Sequence, residues 1–294
     1  MDQRLRGLLD DNVRRLPGAE AASKLMVAQA EVLAALARRR LSDDPAPVAD
    51  AVTPAEIPSV AELGPGDRVL AEIDQDGFAF ADHPADEPFF NRRTEKFPRL
   101  RYRLHVVLYR GRVCVRKQFV GVPEGVPLGP RLWSASGLFF FTEAAALLRL
   151  RATGFVPVLR GVNLVNRTLH MDYIRGKTLQ HDLAGRGARL LDIDLAVTGQ
   201  LFDPERDRWE SEAFAKDGET HRDGIAAMIR TMNLRGVAPI DVKLGNVLIG
   251  AKTGALYWLD FERAALDAVP GYPAQLAEQH RLVEAHFGIK PLEG

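Results

Sequence analysis

The sequence predicts an α+β fold of two lobes preceded by a helical extension, and three observations carry that expectation. Its 294 residues leave room for two lobes and a substantial core. Alternating apolar and polar runs crowd the stretch from 68 to 120, whereas helical spacing governs 19–40, 141–150 and 220–236. Hydrophobic residues make up 46% and charged ones 27%, the balance of a globular, soluble chain. On this basis residues 1–57 form a helical extension and linker, 58–170 a β-rich lobe with one helix, and 171–294 a second lobe.

Leu25, Ala28, Val32, Ala35 and Leu36 recur near helical spacing, and Arg38-Arg39-Arg40 suits the negative end of a helix dipole, so 19–40 reads as one amphipathic helix packed on the main body. Asp43-Asp-Pro-Ala-Pro-Val-Ala-Asp50, with Pro54 and Pro58 behind it, carries breakers and no periodicity; it reads as a linker. Residues 68–74 and 77–80 read as short strands about a turn at Asp76-Gly77. A clearer hairpin joins 104–109 to 112–119 around Arg110-Gly111. Its second strand sets Val113, Val115 and Lys117 on one face, which aims a lysine at the interior or at a cleft. Residues 141–150 are rich in helix formers and end before Gly154 and Pro157. Strands follow at 156–160 and 168–174, then a polar turn at Arg175-Gly176-Lys177. The polar stretch 198–220, with Pro204, reads as an irregular insertion. A helix opening at Thr220 carries Ile225, Met228, Ile229 and Met232 on one face and closes near Gly236. Two short strands about Thr253-Gly254 follow it.

Composition narrows the function. Cys114 is the sole cysteine, so neither an intramolecular disulfide nor a thiolate zinc cluster can form, and a reducing compartment fits. No apolar run approaches the ~20 residues of a membrane span, and Met1-Asp-Gln-Arg-Leu-Arg leads into charged sequence; a cytoplasmic location is expected. The formal net charge of zero hides an asymmetry: residues 41–90 hold twelve acids against Arg68 alone, and 91–117 hold ten Lys or Arg against Glu95. Arg92, Arg93, Lys96, Arg99, Arg101 and Arg103 either draw in an anionic substrate or anionic membrane surface, or pair with the adjacent acids. No aromatic-interleaved recognition pattern accompanies the charge, which argues against nucleic acid as a partner.

The chemistry-bearing residues lie further on. Asp241, Lys243 and Asn246 stand at i, i+2 and i+5 in Ile240-Asp-Val-Lys-Leu-Gly-Asn-Val-Leu-Ile249, a spacing that a loop can present to one cleft and that a regular helix or strand would scatter. Downstream, the apolar run Leu256-Tyr-Trp-Leu259 ends in Asp260, a carboxylate that is costly at such a place without a metal, a cation or hydrogen bonds. Taken alone, the 241–246 segment also reads as an exposed polar turn before the buried strand Val247-Leu-Ile249. Together the two segments supply what phosphoryl transfer needs: a carboxylate to take a hydroxyl proton, a lysine against phosphate charge, and an amide and second carboxylate as magnesium ligands.

This arrangement resembles the protein-kinase-like superfamily over roughly residues 100 to 265. The resemblance sets Asp241 in the place of the catalytic-loop aspartate and Asp260-Phe261-Glu262 in that of the metal-binding Asp-Phe-Gly. It implies ATP and Mg2+ as cofactors, with Asp241 and Lys243 catalytic and Asn246 and Asp260 on the metal. Lys117 looks like the strand lysine on the α and β phosphates, and Glu143 like its helix partner. Met171-Asp-Tyr-Ile-Arg-Gly-Lys-Thr-Leu179 resembles the hinge between lobes, whose backbone at Asp172, Tyr173 and Ile174 would meet adenine. Arg263 could neutralise charge without a defined role.

Four departures separate the chain from regulated protein kinases. No Gly-x-Gly-x-x-Gly precedes Lys117, Pro239-Ile240 replaces His-Arg before the aspartate, Glu262 stands in place of glycine, and only 34 residues (294 − 260) follow Asp260. Leu259-Asp-Phe-Glu-Arg-Ala264 after Val242-Lys-Leu-Gly-Asn-Val-Leu-Ile249 looks most like the compact bacterial lipopolysaccharide-core kinases of Kdo and heptose. That resemblance implies a protein-kinase-like fold with a reduced C-lobe and a sugar, other small molecule or glycolipid as hydroxyl acceptor. The alternatives are a nucleotide-binding pseudokinase scaffold and an atypical serine/threonine protein kinase.

Overall fold

The computed structural model describes residues 18–38, 46–56, 68–73, 80–81, 101–120, 130–185 and 204–290. Six strands, β1 (Arg68–Ile73), β2 (Phe80–Ala81), β3 (Arg101–Tyr109), β4 (Arg112–Val120), β5 (Leu159–Asn163) and β6 (Thr168–Asp172), form one antiparallel sheet in the order β2-β1-β3-β4-β6-β5. The β3–β4 hairpin turns at Arg110 (φ 50°) and Gly111 (φ 75°), two successive positive angles that match the twist of the flanking strands. In its register Leu104, Val106 and Leu108 oppose Lys117, Val115 and Val113, so all six share one face.

Helix α1 (Ala19–Ala37) lies along α2 (Pro130–Leu150), with Leu25, Ala28 and Val32 buried in one core with Phe140, Phe141, Ala144 and Leu147. Burying Leu25 and Val32 completely contributes about 1.5–3 kcal/mol each. Arg149 of α2 fixes the orientation: its Nε donates to Glu31 Oε2 at 2.9 Å, and its Nη1 to Asp267 Oδ1 and to the Gly236 carbonyl, both at 2.7 Å.

The rest of the chain supplies β7 (Gly176–Thr178), β9 (Val247–Gly250) and β10 (Leu256–Trp258), a sheet in the order β10-β9-β7, and β8 (Val237–Ala238) paired with β11 (Ala265–Leu266). Around them pack α3 (Leu179–Gly185), α4 (Pro204–Asp217), α5 (Arg222–Leu234) and α6 (Tyr272–Phe287). One apolar core runs from Leu25 through Phe140 and Met232 to Trp258 and Phe287, so both halves of the chain rest on it. Helix α5 buries Ile225, Met228, Ile229 and Met232, as their spacing predicts, and the chain leaves it through Gly236 at φ 68°.

Several expectations need correction. Residues 204–217 form α4 rather than an irregular insertion; Phe214 is buried with its ring 5.1 Å from Phe287, a tertiary contact that overrides a polar composition. Gly176 and Lys177 lie in β7, held by β9, rather than in a turn. Strand β6 stops at Asp172, and α2 begins at Pro130, well before Phe141. Residues 46–56 are no loose linker, since Val48, Ala51 and Val52 are buried and Ala51 pairs with Ile174. The turn at Asp76-Gly77 and the basic residues Arg92, Arg93, Lys96 and Arg99 lie outside the described residues. Among the described residues no helix is long and apolar enough to cross a membrane.

Candidate active site

Strand register delivers Lys117 to a buried position, 7% exposed, and three carboxylates converge on it. Its Nζ lies 2.7 Å from Glu143 Oε2, 3.0 Å from Asp260 Oδ1 and 3.4 Å from Glu262 Oε2. Glu143 comes from the buried face of α2, between Thr142 and Ala144. Asp260 and Glu262 follow β10, flanking the fully buried Phe261. Asp260 adopts φ 61°, a left-handed conformation that aspartate tolerates at some cost and that clusters at functional sites.

Fully ionised, this cluster carries one positive and three negative charges. Burial pushes Glu143 up to about 8, Lys117 opposes that rise, and the charges of Asp260 and Glu262 add to it. For Asp260 burial also disfavours the anion, but Lys117, Lys243 and Arg263 outweigh it and hold the carboxyl below its ordinary value.

The second polar segment lies beside this cluster. Lys243 Nζ donates to Asp241 Oδ2 at 2.6 Å, while Asn246 Nδ2 donates to the Asp241 carbonyl at 2.8 Å and to Oδ2 at 3.2 Å. A single turn of 3₁₀ helix, Leu244–Asn246, brings the i+5 asparagine back to the aspartate. The Leu259 N–H donates to the Asn246 carbonyl at 2.8 Å, which ties this loop directly to the residue before Asp260. Asn246 and Asp260 offer hard oxygen donors, a set that fits Mg2+ rather than a thiophilic metal. The fit is supported by Asn246 having its amide nitrogen committed to Asp241, with no protein donor to Oδ1 among the described residues.

The 172–174 segment contributes differently from expectation. The Asp172 carboxylate takes a two-pronged contact from Arg160, Nε at 2.6 Å and Nη2 at 2.7 Å, with both side chains buried. The Tyr173 N–H donates to the Val113 carbonyl at 3.2 Å and its C=O accepts from Val52 at 2.8 Å. The Tyr173 N–H is therefore engaged within the protein, while its C=O keeps a second lone pair. The Asp172 N–H is likewise committed, to the Val158 carbonyl at 3.0 Å.

The structure thus brings together Lys117, Glu143, Asp260 and, on the adjoining loop, Asp241, Lys243 and Asn246, while Asp172 serves a buried ion pair. Arg160 and Asp50 are support residues that sequence reasoning passed over, and Glu262, met there only as a replacement for glycine, is a site residue. A second acid two positions after Asp260 and an arginine within Val158-Leu-Arg-Gly-Val162 were available signals; Asp50, in a proline-rich stretch, gave none. Neither the protein-family models nor the curated proteins contain a match to this chain.

Proposed function

We propose that the protein is an ATP-dependent phosphotransferase acting on a hydroxyl group of a small molecule, a sugar or a glycolipid. The observation that carries this reading is the bridge from Lys117 to both Glu143 and Asp260, the latter 143 positions away in sequence. A lysine–glutamate pair beside a metal-binding aspartate is the constellation on which kinase-type phosphoryl transfer depends. The half-buried Leu104 and Val115 lie on the same strand face as Lys117, and the half-buried Leu259 precedes Asp260, so apolar side chains neighbour both charged residues.

In this reading Lys117 holds the α and β phosphates and Glu143 holds Lys117. Asn246 and Asp260 would hold Mg2+, which would offset negative charge on the phosphates. Asp241 Oδ2 accepts from Lys243 and Asn246, leaving Oδ1 with no protein donor among the described residues and able to receive the proton of the acceptor hydroxyl. The acceptor oxygen forms the new bond to the γ-phosphorus, the bond to the β-phosphate oxygen breaks, and ADP leaves. Lys243, 2.6 Å from Asp241, meets the negative charge of the moving phosphoryl.

The test is ATP turnover with Mg2+ over a panel of sugars, small alcohols and proteins, comparing wild type with Asp241→Ala and Asp260→Ala. Each substitution should lower turnover by roughly 10²–10³-fold or more with the fold intact. Nucleotide binding without any acceptor-dependent or self-directed transfer above the variants' background would instead identify a scaffold.

A further inference from the structure

The segment from Val48 to Glu56 is fastened far more firmly than a connector requires. Asp50 is fully buried, and its carboxylate accepts from the Lys252 N–H at 2.6 Å, the Thr253 N–H at 3.0 Å, the Tyr257 hydroxyl at 2.8 Å and the Thr253 hydroxyl. Burial works against the anion, but these four donors outweigh it and keep the carboxyl below its ordinary value. Lys252 Nζ adds bonds of 2.9 Å to the Ala51 carbonyl and to Glu56, and Glu56 in turn accepts from the Thr53 N–H and hydroxyl at 2.8 Å. A buried carboxylate persists only when its acceptor sites are filled, and this one has its partners on the β9–β10 turn and on β10 itself.

That anchor lays residues 50–52 against the connection between the two sheets. The Val52 N–H donates to the Tyr173 carbonyl at 2.8 Å, the Arg175 N–H to the Asp50 carbonyl at 3.3 Å, and Ala51 faces Ile174 as an antiparallel bridge. Val52 packs in one cluster with Val106, Val113 and Tyr173 of the large sheet; Val48 and Ala51 pack in another with Ile174, Leu248 and Tyr257. In such a bridge the Tyr173 C=O and the Arg175 N–H point to the added strand, and alternation turns the backbone groups of Ile174 to the opposite edge. Among the described residues the Ile174 N–H and C=O take no partner. The Ile174 side chain shares an apolar cluster with Leu259, the neighbour of Asp260.

We propose that Asp50 is a positioning residue for base recognition: by bolting the 50–52 strand to one edge of the 173–175 segment, it holds the Ile174 N–H and C=O as a donor–acceptor pair toward a purine. This inference rests on the phosphotransfer reading and adds to it a selectivity element contributed by the N-terminal extension. It separates the site into two ends, a phosphate end built on Lys117 and Asp260 and a base end set by Asp50.

The experiment titrates the full-length protein with Mg·ADP, which needs both ends, and with Mg·triphosphate, which needs only the phosphate end. Asp50→Ala should weaken Mg·ADP about tenfold, the worth of two hydrogen bonds, and leave Mg·triphosphate within about twofold. The KM for ATP should rise by a similar factor at nearly constant kcat, and preference for ATP over GTP should shrink. Asp50→Asn keeps an acceptor oxygen and should recover most of the loss. Tyr257→Phe, which removes one bond and keeps the ring, gives a milder version if Asp50→Ala fails to fold. Equal weakening of both ligands, or no change in either, overturns the positioning role and leaves the phosphotransfer reading standing. Absence of both bindings in wild type overturns the two together.

Discussion

Lys117→Met keeps most of the side-chain volume and removes the ammonium that three carboxylates share. The ligand atoms of Glu143, Asp260 and Glu262 lie within 4.8 Å of one another. At an effective dielectric constant near 20, two ionised carboxylates at that separation repel by roughly 3.5 kcal/mol. Removing one partner from a buried ionic cluster costs about 3–5 kcal/mol, and that range is the expected destabilisation at pH 9.5, where Glu143 is ionised in the wild type. The pH dependence follows from Glu143, whose carboxyl stands at about 8 even with Lys117 opposing its rise. Without the lysine it moves higher. A carboxyl with a folded-state pKa above its unfolded value near 4.3 contributes stability that is complete below that value and is lost as pH rises toward the folded one. The deficit from Glu143 should therefore stay flat up to about pH 8, where both forms keep the proton, and grow above it, where only the wild type releases it. Urea unfolding followed by circular dichroism at pH 7 and pH 9.5 measures it. Adding Glu262→Gln to Lys117→Met should restore part of the loss by deleting one charge. A deficit below about 1 kcal/mol, or one equal at both pH values, would refute the claim that a single buried cation neutralises this cluster.

Two further outcomes are expected. Burial lowers Lys24 from 10.5 to about 8, against the charge of Glu20 and with that of Arg263, so the folded state holds fewer protons than the unfolded chain between those values. Stability then rises across that window, and Lys24→Met should stabilise the protein by roughly 2–3 kcal/mol at pH 7, with the gain vanishing toward pH 10.5 in parallel urea titrations. Asp172→Ala takes the carboxylate from Arg160, a residue only 5% exposed, and should cost about 3–5 kcal/mol in the same assay, whereas Asp172→Leu with Arg160→Met should lie much closer to wild type.

Legibility varied with the range of the interaction. The hairpin at Arg110-Gly111 and the buried face of α5 follow from turn chemistry and from a 3.6-residue period, both local, and both appear where expected. Helix α4 escaped because its polar sequence is made to pack by Phe214 against Phe287, which is remote in sequence. The strap at 48–56 escaped for a related reason: its prolines speak for a break, and only Lys252, Thr253 and Tyr257, some 200 positions on, give Asp50 a reason to be buried. Glu262 reads in the sequence as a substitution for glycine; in space it is a third carboxylate on Lys117.

The sequence by itself determined the chemical inventory, since Asp241, Lys243 and Asn246 are brought together within six positions by one short loop, and the face on which Lys117 lies, since a strand alternates with period two. Only the tertiary structure decided which charges meet. Lys117 and Glu143 stand 26 positions apart, Lys117 and Asp260 143, and their contact depends on α2 seating against the sheet, on α1 and Arg149 holding α2, and on a left-handed turn at Asp260. Charge interactions are governed by distance and by exclusion of water, and packing sets both.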